Sequence, residues 1–345
     1  MSELYGTTYN QSGGIRQDLV DVLTKVVKNK APLLKLMESA KATNTTHLWP
    51  YIQVVPTVTG YGGAAPTQNA QVEGATITMA SAAAYTNESN YTQILYVPFN
   101  ISRTQMRVVY AGVPNIVEDQ MEVANLRLGQ DIENAYVNGV AAAGAEGTAR
   151  QMNGLAVWAA ANVNQTGSLT TLATATGNSI LETLLQAIYA QSQDTSDFVL
   201  CNSADKMSID GWTGRVTRYQ SAEDYAIAGF INVYESSFGA PGGLRIIVDQ
   251  MVPSHTIIAG ELSSLKQAYL DEPQSKELAT IADGQNYYSV AETTLEVRNP
   301  VSVGCVVCSS DNHGPGVGDD LIPGLTKGNQ WQTFQKQTYR QAAWQ

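Results

Sequence analysis

The segment from Ala42 to Ser102 contains no lysine or arginine, and its only acidic residues are Glu73 and Glu88. Its two ends, residues 47–55 and 91–101, have the composition and alternation of β-strands, whereas its middle is rich in Gly, Ala, Thr, Ser and Asn. A loop of this length is unusual inside a compact domain unless it is functional or disordered. The remaining interpretation is a long two-stranded arm, which needs a neighbouring subunit to lean on because an isolated hairpin is only marginally stable.

The composition describes a folded chain whose surface is poor in charge. Of the 345 residues, 43% are hydrophobic and only 15% are charged, against about 25% charged in a typical domain. This excludes a disordered chain and a coiled coil, and the length leaves room for about two domains. The net charge of -11 argues against a protein that grips nucleic acid through its phosphates. An uncharged polar surface suits broad contact between proteins, so the composition favours assembly.

Neither the first residues nor the cysteines indicate export. The start, MSELYGTTYNQSGG, lacks the basic and apolar regions of a signal peptide, and no run approaches the roughly 18 apolar residues that span a membrane. The three cysteines, Cys201, Cys305 and Cys308, are too few for a disulfide framework. We therefore expect a chain that is neither exported nor bound to a membrane, in a compartment compatible with reduced thiols.

Residues 15–41 are basic within an acidic chain, with six lysines and arginines against three acids. Leu19, Val22 and Leu23 have the spacing of one helical face, and Pro32 is expected to interrupt the helix. A solvated helix face is the favoured explanation of the charge. Contact with nucleic acid is the alternative.

A long helix is predicted from Asn115 to Asn138. Asn115 and Glu118 resemble a capping box, acids crowd the first turns, and Gly139 follows where a helix commonly ends. Apolar residues at spacings of three and four draw one stripe along a helix about 35 Å long. We expect this helix to lie on a sheet.

Shorter elements follow without a regular βαβ repeat, which makes α+β the predicted fold class. A helix is expected at residues 178–191 and a helix-like segment at 203–212. The helix leads to an apolar run at residues 198–201, and strands are expected at residues 231–234, 244–248, 256–259 and 293–297. In the last of these, Leu295 and Val297 face one side and Glu296 the other, as on a half-buried strand. Pro98 lacks a donor for a sheet and marks a strand edge or end.

The usual catalytic motifs are missing, because the sequence has no G-x-S-x-G, Walker A, G-x-G-x-x-G or H-E-x-x-H pattern. His47, His255 and His313 are scattered, and a structural role is favoured for each. Cys305 and Cys308 form a C-x-x-C, but no second pair follows, and residues three apart on a strand point to opposite faces. We therefore predict no metal, no cofactor and no enzymatic activity.

The sequence changes character from residue 311 onward. Glycine and proline break any regular element there, and four aromatic residues follow, Trp331, Phe334, Tyr339 and Trp344. An exposed tail has little reason to carry such side chains. We predict an extension that docks on its own subunit or on a neighbouring one.

Six segments, taken in order, resemble one protein family. They are ATNTTHLW from Ala42, NYTQI from Asn90, ISRTQ from Ile101, the long acidic helix, ARQMNGL from Ala149 and SKELATIADGQNYYSVAETTLEVRNPVSVGCV from Ser275. Together they resemble the major capsid (head) proteins of tailed bacteriophages in the SU10-like group, which have the HK97 fold. The resemblance covers most of residues 14–307, and the tail has no counterpart in it.

This resemblance implies an HK97-like capsid fold with an N-terminal arm, an extended β-hairpin loop (the E-loop), a long spine helix, and peripheral and axial domains. The implied limits are residues 1–51 for the N-terminal arm, 52–97 for the E-loop, 98–154 and 286–310 for the peripheral domain with its spine helix at 115–138, 155–285 for the axial domain and 311–345 for a C-terminal extension.

The same resemblance implies a major capsid protein that self-assembles through hexamers and pentamers into the icosahedral head of a tailed bacteriophage around double-stranded DNA. It places the protein in the virion, assembled in the host bacterial cytoplasm, with the portal, a separate scaffold protein and a decoration protein as partners. Some members of the fold crosslink an E-loop lysine to a neighbouring asparagine, but this loop has no lysine, so we expect no such crosslinks. Another virion subunit, of tail-tube or decoration type, is the alternative, and an enzyme such as a surface hydrolase is the third hypothesis.

Three sets of residues are predicted to make contacts in the shell. The intersubunit arm would use Tyr61, Glu73 and Glu88. Non-specific contact with packaged DNA at the inner surface would use Arg16, Lys25, Lys28 and Lys30. The docking tail would use its four aromatic residues.

Overall fold

The computed structural model describes residues 25, 30–52, 73–74, 85–174, 177–212, 233–280 and 283–309. The helices in these ranges are α1 (Pro32–Leu36), α2 (Arg103–Arg107), α3 (Ile116–Asn138), α4 (Leu155–Asn162), α5 (Leu169–Leu172), α6 (Asn178–Ser192) and α7 (Ser203–Asp210). The strands are β1 (Glu38–Lys41), β2 (Thr46–Tyr51), β3 (Thr86–Tyr91), β4 (Gln93–Ser102), β5 (Asn164–Ser168), β6 (Phe198–Cys201), β7 (Val233–Tyr234), β8 (Leu244–Val248), β9 (Thr256–Gly260), β10 (Leu265–Leu278), β11 (Gly284–Val297) and β12 (Val303–Ser309).

In the described ranges the strands form three sheets, and this mixture of helices and sheets confirms the α+β class. A four-stranded sheet has the order β1-β10-β11-β4, a six-stranded sheet has the order β5-β12-β9-β6-β8-β7, and a two-stranded sheet pairs β2 with β3. The six-stranded sheet is mixed, since β6 runs parallel to β8 but antiparallel to β9. β4 lies at a sheet edge, as predicted from Pro98.

The chain divides into two compact units. One comprises residues 1–30, 96–128 and 273–290, and the other comprises residues 31–95, 129–272 and 291–345. The boundaries fall within β4, α3, β10 and β11, so each of these elements contributes residues to both units. The domain limits implied by the family resemblance divide the chain differently and stay a prediction.

The six-stranded sheet carries an extensive apolar core. Every residue of β6 (FVLC) and β9 (TIIAG) is buried, as expected for central strands that are covered on both faces. Helix α6 adds the buried side chains of Leu181, Leu184, Leu185 and Ile188. Gly304 in β12 allows close packing there, because a Cβ would lie only 2.9 Å from Val163 Cβ and 3.0 Å from Ile188 Cγ1.

The long helix predicted at residues 115–138 is confirmed as α3. Asn115 caps it, because its Oδ1 accepts a hydrogen bond from the N–H of Val117 at 3.0 Å. The apolar side chains buried in its later turns are Leu128, Ile132, Ala135, Tyr136 and Val137. Glu133, in the same turns, is also fully buried, which the sequence pattern did not predict.

Most of the shorter elements are also confirmed. The predicted helices at residues 178–191 and 203–212 are α6 and α7, and the predicted strands at 244–248 and 256–259 are β8 and β9. The apolar run at residues 198–201 forms β6. Of the strand predicted at residues 231–234, the described residues form β7. Within the described ranges, none of the helices combines the length and the hydropathy needed to span a membrane.

Two local predictions were wrong. The strand predicted at residues 91–101 is two strands in different sheets, because Thr92 turns away between them and donates its N–H to the carbonyl of Thr45 at 2.9 Å. The strand predicted as half-buried at residues 293–297 is the end of the long strand β11, where both faces are covered. Glu296, expected on an open face, is only 4% exposed because its carboxylate has partners in the interior.

Candidate functional site

Some of the predicted contact residues lie in the described ranges, namely Glu73, Glu88, Lys25 and Lys30. The predicted residues outside the described ranges are Tyr61, Arg16, Lys28, Trp331, Phe334, Tyr339 and Trp344. Because both ends of the uncharged segment are described, the way it is attached to the subunit can be read from the structure.

Strands β2 and β3 pair in antiparallel fashion, from Thr46 opposite Tyr91 to Tyr51 opposite Thr86. We call these two paired strands the hairpin base. The chain leaves the hairpin base after Tyr51 and returns to it at Thr86, with the centre of the uncharged segment between these points. Neighbouring strands in a sheet lie about 5 Å apart. Tyr51 and Thr86, which flank the centre of the uncharged segment, are therefore held side by side.

Asn90 in β3 attaches the hairpin base to β11. Its Nδ2 donates to the carbonyl oxygens of Leu295 at 2.8 Å and Asn153 at 3.0 Å. Its Oδ1 accepts from the N–H of Asn153 at 2.7 Å and of Tyr91 at 2.9 Å. All four hydrogen-bonding positions of the amide are therefore used, in a residue that is 2% exposed.

A charged cluster holds the turn that follows β3. Arg150 donates from Nη2 to Glu292 Oε1 at 2.6 Å and from Nε to the carbonyl oxygen of Thr92 at 2.7 Å. The hydroxyl of Thr92 donates to the same Glu292 oxygen at 2.6 Å. Charge-assisted hydrogen bonds of this kind are roughly twice as strong as neutral ones, so this cluster fixes where β3 ends and β4 begins.

A second cluster holds β2. His47 Nε2 lies 3.1 Å from Glu296 Oε2, and Arg298 Nε donates to Glu296 Oε1 at 2.7 Å. Burial raises the pKa of Glu296, but the hydrogen bonds from His47 and Arg298 outweigh it and leave that pKa below its usual value. Trp49 Nε1 donates to the carbonyl oxygen of Val297 at 2.8 Å, and its ring packs against that of His47 with centroids 5.6 Å apart.

The segments that carry the family resemblance converge on these clusters. ATNTTHLW contains His47 and Trp49, NYTQI contains Asn90, and ARQMNGL contains Arg150, while the partners on β11 and just after it lie in AETTLEVRN. Sequence reasoning missed the individual roles because the partners are far apart in the chain, for example 142 positions between Arg150 and Glu292. The usable signal was the set of motifs itself.

The two acids of the uncharged segment differ in environment. Glu73 is exposed, in a turn. Glu88 lies in β3 opposite Trp49, where partial burial raises the pKa of its carboxyl group. Glu88 is therefore part of the hairpin base, and a contact of either acid with another subunit stays a prediction.

An exposed surface is formed by residues 106–117, which comprise the end of α2, the connection to α3 and the first two residues of α3. We call these residues the apolar loop. The side chains of Val108 and Val109 are 52% and 96% exposed there. The loop is ordered by a bridge between Tyr110 and Val113 and by Gly112, whose φ of 70° suits glycine. It lines an open cavity of about 630 Å³. Exposure of this kind has no periodic signature, so the sequence did not reveal it.

The predicted DNA-contact residues are not equivalent. The ammonium group of Lys25 lies 2.7 Å from Asp119 Oδ1 and 2.6 Å from Glu122 Oε2, both on α3. The hydrogen bonds that Lys25 donates to these carboxylates raise the pKa of its ammonium group. Lys30 is exposed. The charge of Lys25 is thus already matched within the subunit.

The cysteines are buried and free. Burial raises the pKa of the thiols of Cys201 and Cys305 to about 12 and that of Cys308 to about 11, so they stay protonated at neutral pH. A protonated, buried thiol is a poor nucleophile and a poor metal ligand. The described part of the chain also holds no group of three or more His, Cys, Asp or Glu side chains placed to bind a metal ion.

Comparison with known proteins gives one family and a set of similar folds. The family model described as SU10 major capsid protein matches residues 2–309. A Mycobacterium phage Bobi structure is similar at 16% identity and a TM-score of 0.56, over 88% of this chain and 99% of that chain. A Gordonia phage Cozz structure is similar at 10% identity and a TM-score of 0.58, over 90% of this chain and 98% of that chain. The capsid of a native GTA particle is similar at 10% identity and a TM-score of 0.57, over 89% of this chain and 100% of that chain. No curated protein matches.

We predict that Asn90→Asp destabilises the subunit by roughly 2–5 kcal/mol in denaturant unfolding, because it removes two buried donors and places a carboxylate against two carbonyl oxygens. Asn87→Asp is the matched control, since Asn87 is exposed on the same strand and should be nearly neutral. Equal stability of the two variants would show that the amide of Asn90 does not hold the hairpin base.

Proposed function

Because the chain belongs to the SU10 major capsid protein family, we propose that this major capsid protein assembles through hexamers and pentamers into the icosahedral head of a tailed bacteriophage, around double-stranded DNA. The proposal goes beyond the family in naming the capsomers and the contents. The observation that carries it is the hairpin base, a buried and fully hydrogen-bonded attachment at the two ends of the uncharged segment. Similar folds in phage capsids, and in a GTA capsid described with C5 symmetry, support it.

The assignment of residue ranges to the parts of the capsid fold is also proposed. We assign residues 1–51 to the N-terminal arm, 52–97 to the E-loop, 98–154 and 286–310 to the peripheral domain, 155–285 to the axial domain and 311–345 to the C-terminal extension. The pairing of β2 with β3 supports an E-loop that is a hairpin at its root. Helix α3 supports the assignment of the spine helix.

The proposed arm suits contact with several slightly different neighbours. Residues 53–84 contain one acid, Glu73, and no lysine or arginine. Moving such a segment between environments requires little desolvation of charge, so it can adjust among the positions of hexamers and pentamers. Many weak contacts then add up over the shell. Tyr61, Glu73 and Glu88 are the proposed contact residues, and the lack of lysine makes the contacts non-covalent.

The arm can be tested without disturbing its root. Replacing residues 53–84 by Asn-Gly joins Ile52 to Tyr85 through a two-residue turn that suits a β-hairpin. We expect a folded subunit, with near-UV circular dichroism like that of the unaltered chain, that forms no shells in negative-stain images. Normal shells from this variant would contradict the role of the arm, and tubes from the unaltered chain would contradict the role of the protein.

The apolar loop is the second proposed contact between copies. Val109 is 96% exposed on an ordered loop, and ordered apolar exposure of this kind marks interaction sites. The occupant we propose is a second copy of this chain, because the family is one of shell-forming subunits.

We predict that Val109→Asp leaves the unfolding free energy within about 0.5 kcal/mol of the unaltered value, as for a surface position, and lowers the yield of shells at least tenfold. Val109→Thr, which keeps the shape without the charge, should assemble nearly normally. The measurement is the shell fraction after sedimentation. Normal yield with aspartate would exclude the apolar loop as a contact.

Contact with packaged DNA is proposed for Arg16, Lys28 and Lys30, with Lys25 the weakest of the four because two carboxylates already bind it. The acidic chain as a whole favours loose, non-specific contact.

The salt dependence of binding to duplex DNA tests this contact. Alanine at Arg16, Lys28 and Lys30 together should reduce the slope of log affinity against log salt, by up to about 0.9 for each cation that no longer neutralises a phosphate. Lys25→Ala should leave the slope nearly unchanged, and is the control. If Lys25→Ala and the triple change altered the slope equally, or if the triple change left the slope unaltered, Arg16, Lys28 and Lys30 would not be the DNA-contact residues.

The C-terminal extension and the remaining partners complete the proposal. The family match ends at residue 309, and the residues beyond it include Trp331, Phe334, Tyr339 and Trp344. We propose that this extension docks on a neighbouring subunit. The portal, a separate scaffold and a decoration protein are the proposed partners, assembly takes place in the host cytoplasm, and the role is structural without enzymatic activity.

A further inference from the structure

The outer face of the hairpin base is apolar and exposed. Along β2, Leu48 is 57% exposed and Pro50 is also exposed, whereas Trp49 between them is buried. Their cross-strand partners on β3, Ser89 and Asn87, are exposed as well. Because successive side chains of a strand point to opposite faces, one face of the hairpin base is attached to the subunit and the other is open.

Exposed apolar side chains continue past the last strand pair. Ile52, directly after β2, is 39% exposed, and Tyr85, directly before β3, is 75% exposed. We call Leu48, Pro50, Ile52 and Tyr85 the outer stripe. The hydrogen bonds on the buried face keep the two strands in place. A contiguous exposed apolar surface on an ordered element marks an interaction site, so the outer stripe calls for a partner.

The charge around the outer stripe restricts the kind of partner. No lysine or arginine occurs between residues 42 and 102, and the hairpin base carries one acid, Glu88. By contrast, several exposed apolar side chains elsewhere in the described ranges are next to a cation in the chain: Val108 beside Arg107, Leu126 beside Arg127 and Met207 beside Lys206. A cationic segment can therefore approach the outer stripe without meeting a positive charge on the same strands.

The C-terminal extension has the complementary composition. Residues 321–345 contain three cations and no acid, within a chain of net charge -11, and they carry the four aromatic residues of the docking tail. The last described strand, β12, ends at Ser309. A fully extended chain from Ser309 to Trp331 spans about 70 Å, which allows contact with a neighbouring copy.

We propose that the C-terminal extension of one copy binds the outer stripe of a second copy through its aromatic side chains. Each buried aromatic side chain contributes about 150–250 Å² of contact, so two or three of them suffice to cover the stripe. The presence of a second copy rests on the proposed function, and the inference adds the place where the extension binds. It gives a partner to two parts of the chain at once, the exposed face of the hairpin base and the aromatic segment beyond the family match.

Photo-crosslinking of the full chain tests this contact. Tyr339 is replaced by p-benzoylphenylalanine, subunits with and without an isotopic label are mixed and assembled, and the crosslinked peptides are identified by mass spectrometry after irradiation and chymotryptic digestion. We expect the main crosslink to join residue 339 to a peptide of the outer stripe, between subunits of different label. A main crosslink within one subunit, to the apolar loop or to duplex DNA added during assembly would overturn the proposal.

Matched variants sharpen the test. Leu48→Lys should lower the yield of this crosslink at least fivefold, because it removes an apolar contact and adds a charge of the same sign as the extension. Leu48→Glu should lower the yield less, and Tyr85→Lys tests the other end of the stripe independently. Met207→Lys changes an exposed apolar side chain on α7 and should leave the yield unaltered. An unaltered yield with both lysine variants of the stripe, or a greater loss with glutamate than with lysine at position 48, would overturn the proposal.

The crosslink is identified from its peptides, so it reports the docked pair in a shell, a tube or a small oligomer. Shells that form without this crosslink would overturn the docking and leave the proposed function intact. If the unaltered chain gave the crosslink but formed no shells, the proposed function would be overturned and the docking would stand.

Discussion

The side-chain amide of Asn90 makes four hydrogen bonds at a position that is 2% exposed, and the attachment of the hairpin base depends on that saturation. A two-stranded sheet has too little apolar surface to be stable alone. Its stability must come from the element behind it, and here that element is β11. Buried polar groups are costly when unpaired and specific when fully paired, so this contact fixes the position of β3 against β11.

β11 serves two parts of the same unit through its last residues. Its backbone carbonyl at Leu295 and its carboxylates at Glu292 and Glu296 bind the hairpin base. Thr293, which points to the opposite face from Glu292, bonds Tyr136 of α3. The strand is therefore buried on both faces because it has a partner on each. This is the physical reason why the prediction of a half-buried strand failed there.

Local secondary structure was largely predictable from the sequence, but the side-chain contacts between distant segments were not. The cap at Asn115, the helix that follows it and the apolar strand β9 were predicted correctly, because capping and strand patterns act over a few residues. Glu296 was expected on a solvated face and the burial of Glu133 was not predicted, since a buried acid is stable only with partners. Those partners come from segments far apart in the chain, so the local spacing of residues does not reveal them. The ordered motifs were informative because they contain both sides of these contacts.

The distribution of charge separates two kinds of interaction. Inside the subunit, buried charged groups hold the hairpin base, and the buried carboxyl group of Glu133 accepts hydrogen bonds from the N–H groups of Leu33 and Leu34 in α1. Screening by salt is weak at such buried positions. Between subunits, the proposed arm offers almost no charge at all. An arm without titratable cations has little means of sensing pH or ionic strength by itself. The fixed orientation of the hairpin base therefore depends on buried groups within the subunit, whereas the proposed arm adds contact area with almost no charge to desolvate.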